Sequence, residues 1–231
     1  IGQRVGLRMT LTRHNISCLD QIFDFIEQEE IPRACFYHLA YTGRAERADD
    51  VTPAMMRAAI DLICERASWL AARHKTAEIL TVANAADGPY LLMKAEREHH
   101  PRLAEMRELL GWNGGNHHSS GTGIANVDFM GNVHPDQFWR NISLGNIRSS
   151  PFSRIWSDQD NGTLAALRNR QRINFPGRCG RCRWGDLCGG GLRARAHQVT
   201  GGRWGDDPGC YLTDEEVRTP ADCQEIYNSG I

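Results

Sequence analysis

The stretch RCGRCRWGDLCGG, residues 178–190, decides how the C-terminal half of this chain is organised. It places Cys179, Cys182 and Cys188 at the spacing C-x2-C-x5-C, and Cys210 follows after 21 intervening residues. Two cysteines separated by two residues turn their sulfur atoms towards one point, and the later cysteines can close the same site. Four thiolates at one point bind either a zinc ion or an iron–sulfur cluster. The spacing therefore predicts a metal centre held by these four residues.

Two features beside these cysteines favour a cluster over zinc. Three glycines, Gly189–Gly191, follow Cys188 directly, and bare backbone can approach a bulky cluster and donate N–H groups to its sulfides. Arg178, Arg181 and Arg183 flank the ligands, and their positive charge favours the reduced form of an anionic cluster. The spacing alone does not exclude a zinc ribbon, in which the metal would only hold a small domain together.

The other cysteines are less informative. Cys35 and Cys64 fall on apolar positions of a predicted strand and helix and are expected in the core. Cys18, near a helix start, is expected to be structural, and Cys223 is a weaker candidate ligand. Because no export signal precedes Ile1 and five of the eight cysteines crowd into the last quarter, we expect a metal site in the reducing cytoplasm rather than disulfides.

Composition excludes several classes of protein. The 231 residues are 41% hydrophobic and 24% charged, with a net charge of -1, which is typical of a soluble globular protein and not of a nucleic-acid binder. No apolar run approaches the roughly 20 residues of a membrane span. Between Arg140 and Arg203, however, twelve arginines face three acidic residues. This excess indicates a surface facing an anionic substrate or cluster, unless it reflects only a genome that prefers arginine codons.

The first part of the chain alternates strands and helices, the rhythm of a parallel sheet with right-handed crossovers. Thr52 and Pro53 are a good helix start, as N-cap and first helical residue. Such units form part of a barrel, and since three of them leave open sheet edges, we expect a preceding part of the protein to supply the rest. The predicted elements are strands at Val5–Thr12, Arg33–Ala40 and Glu78–Ala83, and helices from Leu19, from Pro53 to Arg73 and from Tyr90 to Leu110.

A Gly/Asn/His/Ser loop after Gly111 predicts a domain boundary, with residues 1–112 before it and residues 113–231 after it. IANVDFMGNVHPDQFW, residues 124–139, predicts a β-hairpin that turns at Met130–Asn132. Short helices are expected near Pro151–Ser157 and Thr163–Arg170. Beyond Phe175 the chain is rich in glycine and cysteine and poor in periodicity, so it needs an organising centre.

These features together resemble a known family. The hairpin, the segment LGNIRSSPFSRIW (144–156) and the four cysteines resemble the SPASM-type auxiliary-cluster domain of radical S-adenosylmethionine enzymes. GLRMTLTRHN (6–15) and CFYHLAYTGRA (35–45) are similar to late strands of the partial barrel in these enzymes. VHPDQFW (133–139) and DDPGCYLTDEE (206–216) resemble, more narrowly, the radical-SAM proteins of heme d1 biosynthesis. The resemblance implies an α/β fold: the C-terminal part of a partial (β/α) barrel followed by a small SPASM-type iron–sulfur domain with a β-hairpin.

Two departures from the family pattern matter. The hairpin has no cysteine, and Leu192 stands four positions after Cys188, where the pattern has another cysteine. The resemblance therefore implies one auxiliary [4Fe–4S] cluster. The chain also lacks the C-x3-C-x2-C motif of the catalytic cluster, so S-adenosylmethionine and a second [4Fe–4S] cluster are expected only in the intact enzyme, and this portion alone is expected to be inactive.

The resemblance implies an enzyme that removes two propionate side chains from 12,18-didecarboxysiroheme on the way to heme d1, in denitrification. Its partners would be this anionic tetrapyrrole and an electron donor such as a flavodoxin or ferredoxin, with no nucleic acid and no membrane. Three alternatives remain. The chain could belong to another SPASM enzyme, a heme decarboxylase or peptide modifier. It could also be a non-catalytic zinc-ribbon binding module or an electron-transfer domain.

Candidate binding residues lie in both halves. Ligands of parallel sheets sit at the carboxyl ends of strands, which makes Thr10, Thr12, Asn15 and Arg44 candidates for contact with S-adenosylmethionine.

In the second half, His134 in the predicted hairpin is a candidate to bind the substrate or ligate its iron. Arg193 and Arg195 are two positions apart, which fits one face of a strand but not of a helix, and they are candidates to bind the substrate carboxylates.

Overall fold

The computed structural model describes residue 3 and residues 5–73, 77–169 and 175–218; Cys223 lies outside them. The first part confirms the predicted parallel α/β arrangement. Strands pair in the order β1-β2-β3, all parallel, with Leu7 opposite Ala34 and Ala34 opposite Ile79. The elements are β1 (Leu7–Thr10), α1 (Leu19–Gln28), β2 (Arg33–Tyr37), α2 (Pro53–Ala72) and β3 (Glu78–Val82).

Local sequence explains where these elements begin. The Thr52 hydroxyl accepts a hydrogen bond from the Met55 amide at 3.2 Å, and Pro53 is the first residue of α2, as predicted. On α1, Phe23 and Ile26 share one face and are almost completely buried against the sheet.

The prediction of a single helix from Tyr90 to Leu110 is wrong. The structure has two helices in this region, α3 (Asp87–Arg97) and α4 (Leu103–Asn113). His99 takes a left-handed conformation at φ 51°, and Pro101 follows it by two residues. A proline disfavours helical backbone at the residue before it and lacks the N–H that a helix interior requires, so the chain turns between the two helices.

The predicted hairpin is confirmed and gains a third strand. β4 (Asn126–Val127) pairs antiparallel with β5 (Asn132–His134), and β5 pairs antiparallel with β6 (Gly145–Asn146). Two short helices follow, α5 (Phe152–Trp156) and α6 (Gly162–Arg168), close to the predicted positions.

The last described segment contains α7 (Gly185–Cys188), α8 (Arg193–Thr200) and α9 (Asp214–Val217). The expectation that Arg193 and Arg195 share one face of a strand is wrong, because both residues lie on the first turn of α8. Helical residues two positions apart diverge by about 200°. Both guanidinium groups are nevertheless buried, because other parts of the chain cover this turn from more than one side.

Two groups of buried residues form the core. One packs α1 and α2 on the sheet and also takes in Trp184, Tyr211 and Leu212 from the cysteine-rich segment. The other joins the three-stranded hairpin sheet to α6 and α8 through Trp139 and Leu192. The cysteine-rich segment is thus packed against the parallel sheet, and the division at residue 112 remains a prediction. Among the helices of the described part, none has the length and apolar character needed to cross a membrane.

Candidate metal centre

The four predicted ligands meet at one cavity. Cys179 lies in a short 3-10 turn, Arg178–Arg181, and Cys182 directly follows that turn. Cys188 is the last residue of α7, and Cys210 follows the Asp206–Gly209 loop. All four thiols are free and line the same cavity, whose empty space is about 530 Å³ including its mouth. The structure therefore brings together the set that the spacing predicted.

The four thiols are a donor set suited to a metal centre. Within the described ranges, no three His, Cys, Asp or Glu side chains converge closely enough to ligate a single metal ion. A zinc ion needs its sulfurs about 2.3 Å from the metal, which brings the sulfurs almost into contact, whereas the irons of a cluster hold the same four thiolates around a larger centre. The four thiols and the cavity they line fit an iron–sulfur cluster.

Burial controls the charge of these thiols. It raises the pKa of Cys179 to about 12, and it raises the pKa of the Cys188, Cys182 and Cys210 thiols as well. Without a metal the four groups are therefore neutral at physiological pH. Since only thiolates are good ligands, loading the site releases protons.

Two adjacent carboxylates, not predicted from the sequence, fix the ligand loops. Asp206 accepts hydrogen bonds from the backbone amides of Arg178 and Cys179, both at 2.8 Å, and so holds the turn that carries the first ligand. Asp207 accepts from the amides of Leu192 at 2.7 Å and Gly209 at 3.0 Å. Together they tie the loop before Cys210 to both of the other ligand segments.

Asp207 also forms a buried ion pair with Arg195. The Nε and Nη2 atoms of Arg195 donate to the two carboxylate oxygens at 2.7 and 2.8 Å, and both side chains are 1% exposed. Although burial alone would raise the pKa of Asp207, the Arg195 guanidinium lowers it below its usual range. The remaining Nη1 of Arg195 donates to the Leu39 carbonyl at 2.8 Å, which anchors α8 to the loop after β2.

The positively charged guanidinium of Arg178 lies beside the Cys210 thiol. Its Nη1 donates to the Cys210 sulfur at 3.7 Å, its Nη2 donates to the Leu212 carbonyl, and its Nε pairs with Asp214 at 2.9 Å. Of the three arginines that the sequence singled out, Arg178 makes this contact, whereas Arg181 is exposed and Arg183 stacks on Trp184.

The glycines after Cys188 are required by the backbone itself. Gly190 and Gly191 have φ angles of 81° and 72°, in the left-handed region that favours glycine. A Cβ atom on Gly191 would lie 2.3 Å from an oxygen of Asp207. Both glycines line the cavity, so backbone without a side chain lies beside the four thiols, as expected from the sequence.

Known proteins match this chain both in sequence and in fold. The SPASM family, an iron–sulfur cluster-binding domain, matches residues 119–183, which include Cys179 and Cys182. The structure of native anSMEcpe with bound AdoMet has the same fold, with a TM-score of 0.54 over 98% of this chain and 57% of that one, at 13% identity. Residues 119–183 thus match the SPASM iron–sulfur cluster-binding domain, and the chain shares its fold with this AdoMet-bound protein.

Two curated relatives are similar to this chain over almost its whole length. The Fe-coproporphyrin III synthase of Methanosarcina barkeri is 48% identical over 94% of this chain and 55% of its own length. The pre-heme d1 synthase of Dinoroseobacter shibae is 39% identical over 97% of this chain and 56% of its own length. The chain thus spans little more than half the length of the curated relatives it matches.

The residues predicted to contact S-adenosylmethionine lie at the carboxyl edge of the parallel sheet, as expected. Asn15 accepts from the Thr12 amide and donates to the Thr10 carbonyl, both at 2.9 Å, so its side chain shapes the loop that follows β1. Arg44 is exposed in the loop after β2. Contact of these four residues with S-adenosylmethionine remains a prediction.

The candidate substrate residues of the second half are buried instead. Both ring nitrogens of His134 are engaged inside the hairpin, with the Ile142 carbonyl at 2.6 Å and Asp128 at 3.2 Å. Arg193 is 1% exposed and donates to the Gly205 carbonyl at 2.6 Å. Together with the Asp207 pair of Arg195, these contacts indicate structural roles and do not favour the predicted substrate contacts.

A buried polar network at the end of β2 and β3 was not predicted. His38 lies 3.0 Å from Asp87, which also accepts from the Tyr211 hydroxyl at 2.7 Å. The Asn84 amide lies 3.2 Å from the other His38 nitrogen and donates to the Gly209 carbonyl at 2.8 Å. Since Gly209 and Tyr211 flank Cys210, the network fixes this ligand to the carboxyl edge of the parallel sheet.

Proposed function

We propose that the intact protein is a radical S-adenosylmethionine enzyme that modifies an iron tetrapyrrole in heme synthesis, and that this chain supplies its auxiliary iron–sulfur site. The observation that carries the proposal is the meeting of Cys179, Cys182, Cys188 and Cys210 at one cavity. It occurs in a chain 48% and 39% identical to two relatives named for such tetrapyrroles.

The substrate we favour is 12,18-didecarboxysiroheme, with removal of two propionates to give a heme d1 precursor. The pre-heme d1 synthase relative and the motif around VHPDQFW favour this reaction. A second candidate is formation of an iron coproporphyrin, which the 48% identity to Fe-coproporphyrin III synthase favours. The two reactions differ in outcome, because a coproporphyrin keeps its propionate side chains.

A four-thiolate iron–sulfur cluster supplies one-electron transfer when bound. The chain's own residues determine where it sits and how its charge is balanced. Asp206 orients the amides of Arg178 and Cys179, and Asp207 holds the loop before Cys210. The Arg178 guanidinium stabilises a thiolate at Cys210 through its hydrogen bond to the sulfur, and hydrogen bonds to ligand sulfurs raise the potential of such centres. Trp184, Leu212 and Val217 line the cavity with apolar surface that limits access of water.

In the cell, the proposed enzyme also needs S-adenosylmethionine, a second [4Fe–4S] cluster and a reductant such as a flavodoxin or ferredoxin. We place it in the cytoplasm, where thiols remain reduced.

Metal analysis after anaerobic purification tests the cofactor. We expect about four irons and four sulfides per chain, a brown colour and broad absorption near ~400 nm. Cys188→Ser should lose most of the iron, whereas Cys35→Ser, a buried cysteine of β2, should keep it. One zinc per chain and no colour would contradict the cluster and favour the ribbon.

Product analysis tests the reaction. The full-length protein, with reductant and S-adenosylmethionine, is incubated with 12,18-didecarboxysiroheme, and the products are separated and weighed by mass spectrometry. A mass loss matching two propionates supports the heme d1 route, and an iron coproporphyrin supports the second candidate. Unchanged tetrapyrrole with an intact cluster would refute both.

A further inference from the structure

A wide cleft separates the loop after β2 from the outer face of α8. Its empty space is about 1270 Å³ including its mouth, more than twice that of the cysteine cavity. The loop contributes Tyr41 and Arg47, the segment between β5 and β6 contributes Phe138 and Arg140, and α8 contributes Gln198. The cleft thus lies at the carboxyl edge of the parallel sheet, where ligands of α/β proteins bind.

The charges of the cleft favour an anionic ligand. Arg47 and Arg140 are both exposed, and within the described part of the chain neither forms an ion pair or a side-chain hydrogen bond. Many other arginines in that part are committed to carboxylates, as Arg57 is to Glu216 at 2.8 Å. Glu46 is the one acidic residue among the described lining residues, so the two arginines leave a net positive wall. Free guanidinium groups bind carboxylates with two parallel hydrogen bonds.

Two aromatic residues line the same cleft as the arginines. Phe138 is half-buried and offers a ring surface, and Tyr41 is buried with its hydroxyl bonded to Asp50. Tyr41 also holds a left-handed φ of 49°, which costs a residue with a Cβ atom free energy and is concentrated at functional sites. Aromatic side chains beside exposed positive groups suit an aromatic macrocycle that carries carboxylates at its rim.

We propose that this cleft binds the carboxylate side chains of the tetrapyrrole, with Arg47 and Arg140 as the groups that hold them and Phe138 against the macrocycle. The inference rests on the proposed function, because that function supplies the ligand class. In this proposal the substrate carboxylates contact the exposed Arg47 and Arg140, and not the buried Arg193 and Arg195 that the sequence had suggested.

Equilibrium binding tests the cleft without any need for catalysis. Iron coproporphyrin III, a carboxylated probe, is titrated into the cluster-loaded protein under anaerobic conditions, and binding is followed by the change in its main absorption band. We expect Arg47→Gln and Arg140→Gln each to weaken binding about ten-fold, since each change removes one charge-assisted pair with a carboxylate in a partly exposed cleft. The double variant should weaken it further, and added salt should weaken the wild type more than the double variant.

Matched controls separate the cleft from general electrostatics. Arg97→Gln on α3 and Arg154→Gln on α5 make the same charge change on exposed residues that do not line the cleft, and both should bind as the wild type does. The tetramethyl ester of the probe keeps the macrocycle but lacks the carboxylates, so it should bind the wild type and the double variant equally. Iron content and circular dichroism show that each variant is folded and loaded.

The possible failures are distinguishable. Saturable binding by the wild type with no difference in the Arg47 and Arg140 variants would refute the cleft and leave the proposed function standing. Equal loss in the control variants would refute a specific role for the two arginines. No saturable binding of the probe by the wild-type protein would overturn both the cleft and the proposed tetrapyrrole substrate.

Discussion

Replacing Asp207 with asparagine should unfold the ligand loops, although the change alters hardly any volume. Each carboxylate oxygen accepts two hydrogen bonds: one from Gly209 N and Arg195 Nε, the other from Leu192 N and Arg195 Nη2. An amide has a single acceptor oxygen. Whichever way the asparagine is turned, its NH2 group faces two N–H donors that have lost their acceptor.

The magnitude follows from this geometry and from burial. Two buried donors without an acceptor cost about 1–3 kcal/mol each. The variant also leaves the Arg195 guanidinium, 1% exposed, without its counter-ion, and removing one partner of a buried pair typically costs about 3–5 kcal/mol. These two contributions overlap, so we expect Asp207→Asn to lower the free energy of unfolding by about 3–5 kcal/mol.

Denaturant unfolding of the metal-free protein measures this loss, and iron content after reconstitution measures its effect on the site. The matched control is Glu78→Gln, which breaks the exposed ion pair between Glu78 and Arg33 and should cost less than about 1 kcal/mol. Adding Arg195→Gln to Asp207→Asn should cost less than the sum of the two single changes, because they remove the same interaction. An Asp207→Asn protein within about 1 kcal/mol of the wild type, with full iron content, would refute the reasoning.

Further outcomes follow from single contacts. Cys188→Ser should abolish most iron binding while leaving the metal-free protein folded, as measured by iron analysis and circular dichroism. Gly191→Ala should reduce both iron content and stability, by about 1–3 kcal/mol, because the new Cβ atom meets Asp207 at 2.3 Å and the backbone is left-handed; denaturant unfolding measures it. Glu216→Gln should cost about 1–3 kcal/mol at pH 7, since Arg57 lowers the pKa of Glu216 to about 2. A carboxylate whose pKa is lowered by folding stabilises the fold at any pH above its pKa in the unfolded chain. The difference in unfolding free energy between the variant and the wild type should therefore disappear as pH falls from about 4.5 to about 2, as measured by denaturant unfolding at a series of pH values.

The parallel sheet and the four ligands were predictable because they rest on local patterns. Apolar runs of strand length alternated with amphipathic helices, and two residues, Thr52 and Pro53, were enough to predict where α2 begins. The cysteines were predictable because short spacings between ligands survive in the linear sequence. By contrast, α8 was missed, since its first turn buries arginines, and no hydrophobic periodicity marks a helix whose inner face is charged.

The groups that support the ligands were missed for a different reason. Asp206 and Asp207 act by accepting backbone N–H groups from segments far away in sequence, and such contacts have no fixed spacing. The one available signal was their position immediately before Pro208–Cys210. His38, Asp87 and Asn84 likewise become one network only when β2 and β3 pair.

The placement of α8 explains why exposed arginines, and not buried ones, must test substrate binding. Its inner turn carries Arg195, which holds Asp207 and through it the loop before Cys210, while its outer face forms a wall of the cleft through Gln198. A change at Arg195 would therefore alter the cysteine cavity and the cleft together, and a loss of tetrapyrrole binding would carry no information about either. Arg47 and Arg140 contact neither α8 nor the cysteine loops through any hydrogen bond between described residues. Loss of binding in their variants at constant iron content would consequently report on the carboxylate contacts alone.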